Sequence, residues 1–229
     1  MNLHDDLTDA RSRHFIRLSL SLREFMGLAT VGILAVALIF CLIKLERAEH
    51  ELDQIRAEIG YLAPTAPGQI AAVRVPTDSP LTYRMRVRVP KSAAYRVTYS
   101  SLLPQGSGQP QWYGAVQVPP GEAVITVQIA QDPRDERWKI TTLVRSKLGT
   151  RRVGTVLPPQ HVAVFRGSHQ VVSTGIGRDT TTLQNDCSLR LLDERWLVGA
   201  GSLLLYGDRP PESDQIGVYA ELQPDQGTL

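Results

Sequence analysis

Nineteen consecutive residues, 25–43, carry no charge. As a helix rising 1.5 Å per residue this run is about 28 Å long, close to the roughly 30 Å of bilayer hydrocarbon. A cleaved signal peptide has a shorter apolar core, roughly 7 to 15 residues, and ends in a small-x-small site. Here the exit is Leu38, Ile39, Phe40, Cys41, Leu42 and Ile43, bulky at nearly every position a peptidase would inspect. Phe40 also denies Cys41 the small neighbour that a lipoprotein site requires. The run is expected to be an uncleaved anchor rather than a signal peptide, a lipoprotein leader or the buried helix of a soluble protein.

The flanks set an orientation. Arg11, Arg13, Arg17 and Arg23 precede the run, against Lys44, Arg47 and Arg56 after it, and cytoplasmic flanks carry the Lys/Arg excess. The expected layout is a single-pass protein of the cell membrane, with a cytoplasmic tail at 1–22 and a span at 23–43. A juxtamembrane stalk at 44–62, a linker at 63–69 and an exported domain at 70–229 complete it. Cys187 is the only thiol outside the span, so no intrachain disulfide is available to that domain.

A register continues out of the span. Val31, Leu34, Leu38, Cys41, Leu45, Ala48, Leu52, Ile55, Ile59 and Leu62 alternate spacings of three and four, and all are apolar. Such spacing marks the seam of a coiled coil, here with solvated outer positions. The expected association seam outside the membrane is Leu45, Ala48, Leu52, Ile55, Ile59 and Leu62. Two and a half heptads are marginal alone. The seam would pair as a homodimer, pair with another membrane protein, or lie on its own β-domain. Gly60, Pro64 and Pro67 end the helix.

Beyond Ile70 the period becomes two. Residues 81–89 alternate apolar with polar, as do Tyr95, Val97 and Tyr99 against Arg96, Thr98 and Ser100. Ile125, Val127 and Ile129 repeat the pattern, and so do Trp138 and Ile140. Turn chemistry bounds each run, as at Pro90-Lys91-Ser92 and Pro119-Pro120-Gly121. The expected class is mainly β, one β-sandwich-like domain after a transmembrane helix and coiled-coil stalk. Further strands are expected at residues 161–165, 202–206 and 215–221, with a long polar loop at 173–186.

Catalytic patterns are thin. A Cys187–His169 pair can be drawn as nucleophile and base, but nothing local supports it. No zinc-type spacing occurs, and neither Gly175-Ile176-Gly177 nor Gly199-Ala200-Gly201 completes a dinucleotide loop. No cofactor is expected. The one electrostatic feature is Arg84, Arg86 and Arg88 on a single strand face, with Arg96 expected beside Arg88 across a hairpin. Like charges directly opposed are destabilising, so either acidic residues compensate or the patch meets an anion. A solvated face is the plain reading of these arginines; lipid headgroups or an acidic wall polymer are the anionic partners that would fit, and nucleic acid does not fit an exported domain.

Several phrases carry a resemblance. These are residues 17–23 (Arg-Leu-Ser-Leu-Ser-Leu-Arg), 58–62 (Glu-Ile-Gly-Tyr-Leu), 73–76, 81–90, 95–97 and 118–122. Over residues 15–130 the chain resembles single-pass membrane proteins of planctomycete bacteria, a group without an assigned activity. The resemblance implies the membrane layout and no functional residue. The function expected is that of a non-enzymatic membrane tether or interaction protein. The alternatives are a membrane-anchored enzyme with a site near residues 173–186, and, by architectural analogy, a cell-division or cell-shape scaffold.

Overall fold

A computed structural model describes residues 21–198 and 216–225. The expected tail (apart from Ser21 and Leu22) and the expected strand at 202–206 lie outside those residues. The chain divides into two compact units, Met1–Glu51 and Leu52–Leu229.

Helix α1 runs Leu22–Ile59 without a break. Its span is rich in Leu, Ile, Ala and Val, and no proline interrupts it. An 18-residue window within Phe25–Ile59 has a mean hydropathy of 2.7 and no buried residue, so this helix is long and apolar enough to cross a membrane. The helix ends on Gly60, whose φ is +64°. The Tyr61 N–H donates to the Arg56 carbonyl at 2.8 Å, the long-range bond of a glycine-terminated helix. Gly60 is doubly required, because an added Cβ would lie 2.4 Å from Val75 Cγ2.

The second unit contains two antiparallel sheets. The strands are β1 (Gln69–Val75), β2 (Thr82–Val89), β3 (Tyr95–Leu102), β4 (Gly114–Val118), β5 (Gly121–Gln131) and β6 (Trp138–Ser146). They continue with β7 (Gly149–Val156), β8 (Gln170–Gly175), β9 (Thr181–Gln184), β10 (Leu189–Leu197) and β11 (Ile216–Pro224). One sheet has the order β7-β6-β5-β2-β1-β9 and the other β4-β3-β11-β10-β8. Met85, Val87, Ile125 and Ile140 from the first share one buried cluster with Tyr95, Val97, Leu191 and Leu222 from the second.

Four expectations are corrected. Residues 161–165 are not a strand but part of helix α2 (Pro159–Arg166). Pro159 is suited to a first helical turn, and the buried His161, Val164 and Phe165 follow i, i+3, i+4 spacing. Phe165 then meets Trp196 edge-on, with ring centroids 4.9 Å apart. Residues 173–186 are not one loop: they contain the end of β8 and all of β9. These are edge strands, exposed along most of their length, so their polar, Thr-rich composition hid them. Ile176, buried between them, anchors the crossing from one sheet to the other.

The third correction concerns β2 and β3, which form no hairpin. β2 pairs with β1 and β5, whereas β3 pairs with β4 and β11. The turn at residues 90–94 carries the chain from one sheet to the other. The fourth is Leu62. It lies beyond the end of α1 and is 4% exposed, packed with Ala71 and Val73 rather than continuing a helical seam.

Candidate functional site

Alternation along β2 buries Tyr83, Met85, Val87 and Val89 and turns Arg84, Arg86 and Arg88 to the opposite, outer face. The ladder register extends that face sideways. Arg84 sits opposite Thr126, Thr126 opposite Leu143, and Leu143 opposite Arg152. One pair further along, Arg86 sits opposite Val124 and Val124 opposite Arg145. The sequence places these arginines far apart. The sheet order brings Arg84, Arg86, Arg88, Arg145 and Arg152 onto one surface, beside Lys147 in the β6–β7 turn.

The only carboxylate at an outward position of these strands is Glu122. Arg88 Nη2 and Nε donate to Glu122 Oε1 at 2.7 and 3.2 Å, and Arg86 Nε lies 4.0 Å from its Oε2. The hydrogen bond from Arg88 holds the Glu122 carboxyl below the usual carboxylate range. Arg86 and Arg88 have a second duty. Arg88 Nη1 donates to the Ala63 carbonyl at 2.9 Å, and Arg86 Nη1 to the Gly60 carbonyl at 3.5 Å. They satisfy backbone groups that the end of α1 and the following linker leave open. Lys139, also outward on β6, is held by Asp132 and Asp135 at 2.8 and 2.7 Å. Arg84, Arg145 and Arg152 have no ion pair or hydrogen bond among the described residues.

Arg84, Arg86 and Arg145 border a depression of about 280 Å³, with Val75, Val124, Thr126, Leu143 and Ile59 completing its lining. Arg96 does not belong to this surface. It lies on β3 in the other sheet, 4.0 Å from Asp225. The parity of the two strands predicted Arg88 and Arg96 as neighbours across a hairpin. The same parity arises when two strands of different sheets bury side chains in one core, which is the arrangement here. Arg145 and Arg152 were missed because their runs carry no feature of their own; only the register makes them neighbours of Arg84.

A second, larger cavity of about 470 Å³ lies beside residues 173–178, lined by Arg74, Tyr83, Ser173, Gly177 and Arg178 among others. Arg74 bonds both Glu194 and the Ser173 hydroxyl, and Ser173 Oγ donates to Glu194 Oε1 at 2.7 Å. Burial, with Glu194 nearby, pushes the Tyr83 phenol up. No His or Cys lines this cavity.

The drawn Cys187–His169 pair fails on geometry. Cys187 precedes Leu189 at the start of β10, whereas His169 adjoins Gln170, which pairs with Leu197 at the other end. The nine-residue strand separates these points by about 26 Å. A Ser–His contact absent from the sequence reading does exist: Ser101 Oγ and His161 Nδ1 are 2.7 Å apart. Both residues are buried, at 0% and 3% exposure, and burial lowers the imidazole's affinity for a proton. The contact satisfies polar groups in the core and offers no access to a substrate. The described residues contain no group of three or more His, Cys, Asp or Glu able to hold a metal ion.

No family model matches the chain, and no curated protein or solved structure shows significant similarity to it.

Proposed function

We propose that this protein is a bitopic, non-enzymatic membrane tether: one bilayer-crossing helix, a helical stalk, and a β-sandwich presented outside the cytoplasm. One observation carries the reading. The apolar window of α1, of mean hydropathy 2.7, is wholly uncovered by protein. An apolar surface of that size needs a covering, and a bilayer supplies one of matching thickness. Two antiparallel sheets sharing one core support the sandwich as the presented module.

The stalk is the element that associates. Leu45, Leu52, Ile55 and Ile59 are 46–57% exposed, and Ala48 is exposed beside them. Such a stripe favours a parallel homodimer or pairing with another membrane protein. The seam closes at Ile59, since Leu62 belongs to the β-domain. Carbonate extraction tests the anchor: the protein stays in the membrane pellet, and release into the supernatant overturns the reading. Cross-linking in membranes tests the stalk. Leu52→Asp combined with Ile55→Asp abolishes the dimer while the β-domain stays folded.

The cavity beside residues 173–178 favours a second reading, a membrane-anchored enzyme, because Arg74, Tyr83 and Ser173 line it and Glu194 bonds two of them. The Glu194 carboxylate is already engaged by Arg74 and Ser173, which suits ligand binding better than general-base work. Turnover of an ester, glycoside or phosphate substrate that Ser173→Ala abolishes would replace the tether reading. A scaffold of cell division or cell shape shares the layout and rests on that analogy alone.

A further inference from the structure

From the outer face of the six-stranded sheet we infer a binding site for a phosphate-type anion, formed by Arg84, Arg86 and Arg145 around the depression above Val124 and Thr126. The inference concerns the outer face of the β-domain, with Ile59 at the end of α1 as one wall, and does not rest on the tether reading. Arg86 and Arg145 sit on strands two apart, about 10 Å between backbones, with the small Val124 side chain between them. An anion above Val124 lies within reach of both guanidinium groups. Arg84 is two residues from Arg86 on β2, about 7 Å along the strand, and borders the same depression.

Thr126, between Arg84 and Leu143, adds a hydroxyl to the lining. Val75, Leu143 and Ile59 add apolar wall. Planar guanidinium groups match the paired oxygens of a phosphate, and three cations suit a ligand with several acceptor oxygens better than a lone carboxylate. The distribution of partners points the same way. Glu122 serves Arg86 and Arg88, while Arg84 and Arg145 face the depression with no carboxylate among the described residues. Concentrating like charges is unfavourable, and an anion bound between them removes that cost. The phosphate can belong to a lipid headgroup or to a free phosphorylated solute; the chemistry of recognition is the same.

The test uses the full chain in phosphatidylcholine nanodiscs at about 0.1 M salt, where exposed charges are already partly screened. One arm titrates inorganic phosphate and glycerol phosphate by calorimetry. The other measures capture on separate vesicles of phosphatidylcholine alone or mixed with phosphatidylglycerol. Binding to anionic vesicles but not to the free anions assigns a headgroup; binding to the free anions assigns a solute. In either case Arg84→Gln and Arg145→Gln each weaken binding roughly tenfold, a typical size for one charge-assisted contact. Arg96→Gln, which removes the same charge from the other sheet, leaves binding unchanged. Equal losses from all three variants would mean a net-charge effect and overturn the site. Absence of binding in both arms would overturn it as well. Unchanged circular dichroism in each variant keeps these outcomes separate from misfolding.

Discussion

On the five-stranded sheet, Arg190 reaches Glu221 at 2.8 Å and Asp193 at 3.6 Å, and Arg195 grips Asp193 through two bonds of 2.7 and 2.9 Å. On the outer face of the six-stranded sheet, Arg84, Arg145 and Arg152 have no carboxylate partner among the described residues. The contrast follows burial. The side chains of Asp193 and Glu221 are 9–10% exposed, and charges taken that far out of water persist only when paired. Arg84, Arg145 and Arg152 on the other face are exposed, so solvent screens them and the fold tolerates them without a partner. Charge on the first surface is therefore structural; among the arginines of the second only Arg86 and Arg88 hold parts of the fold together, and Arg84, Arg145 and Arg152 do not.

Removing a carboxylate from the buried network is the strongest way to break this comparison. Asp193→Ala takes a carboxylate from Arg190 and removes the ion pair of Arg195; a loss of about 2–4 kcal/mol is expected, read from the urea midpoint. A loss below about 0.5 kcal/mol would show that the two faces are alike. Glu122→Gln probes the one paired point of the exposed face. Because the Glu122 side chain is 46% exposed, its loss is expected to cost less than about 1 kcal/mol at pH 7.

The sign with pH sharpens that second test. The folded Glu122 carboxyl titrates below its ordinary value of 4.5. Its contribution is thus complete above pH 4.5 and disappears as pH falls through the lower folded value. Wild type and variant should converge in acid, and a gap that persists there would assign the effect to packing. The smallest expected change is for Arg84→Gln with Arg145→Gln. Their combined effect on the thermal midpoint corresponds to within about 0.5 kcal/mol, because neither residue holds the fold together. A large loss would return these arginines to the structural class.

The strongest local patterns were legible in the sequence. The uncharged run and the absence of proline anticipate α1, because backbone hydrogen bonds in a helix close within the segment itself. Alternation at Tyr83, Met85 and Val87, and again at Ile125, Val127 and Ile129, marks β2 and β5, since period two reports which side chains enter a core. β8 and β9 escaped because they bury almost nothing; α2 looked like a strand because an apolar run of only two turns shows no sustained helical period; and β10, buried along most of its length, shows no alternation.

The site depended on a different kind of information. Residue parity says that Arg84, Arg86 and Arg88 share a face, and it assigns Arg96 the same parity. Which strand lies beside β2 is settled by how both sheets close over one core. That choice put β5 next to β2 with β6 and β7 beyond it, brought Arg145 and Arg152 onto its face, and sent Arg96 to the other sheet. Period two is a property of a single strand, fixed by its own backbone. Neighbourhood is a property of the whole packed domain, and no local pattern in the chain contains it.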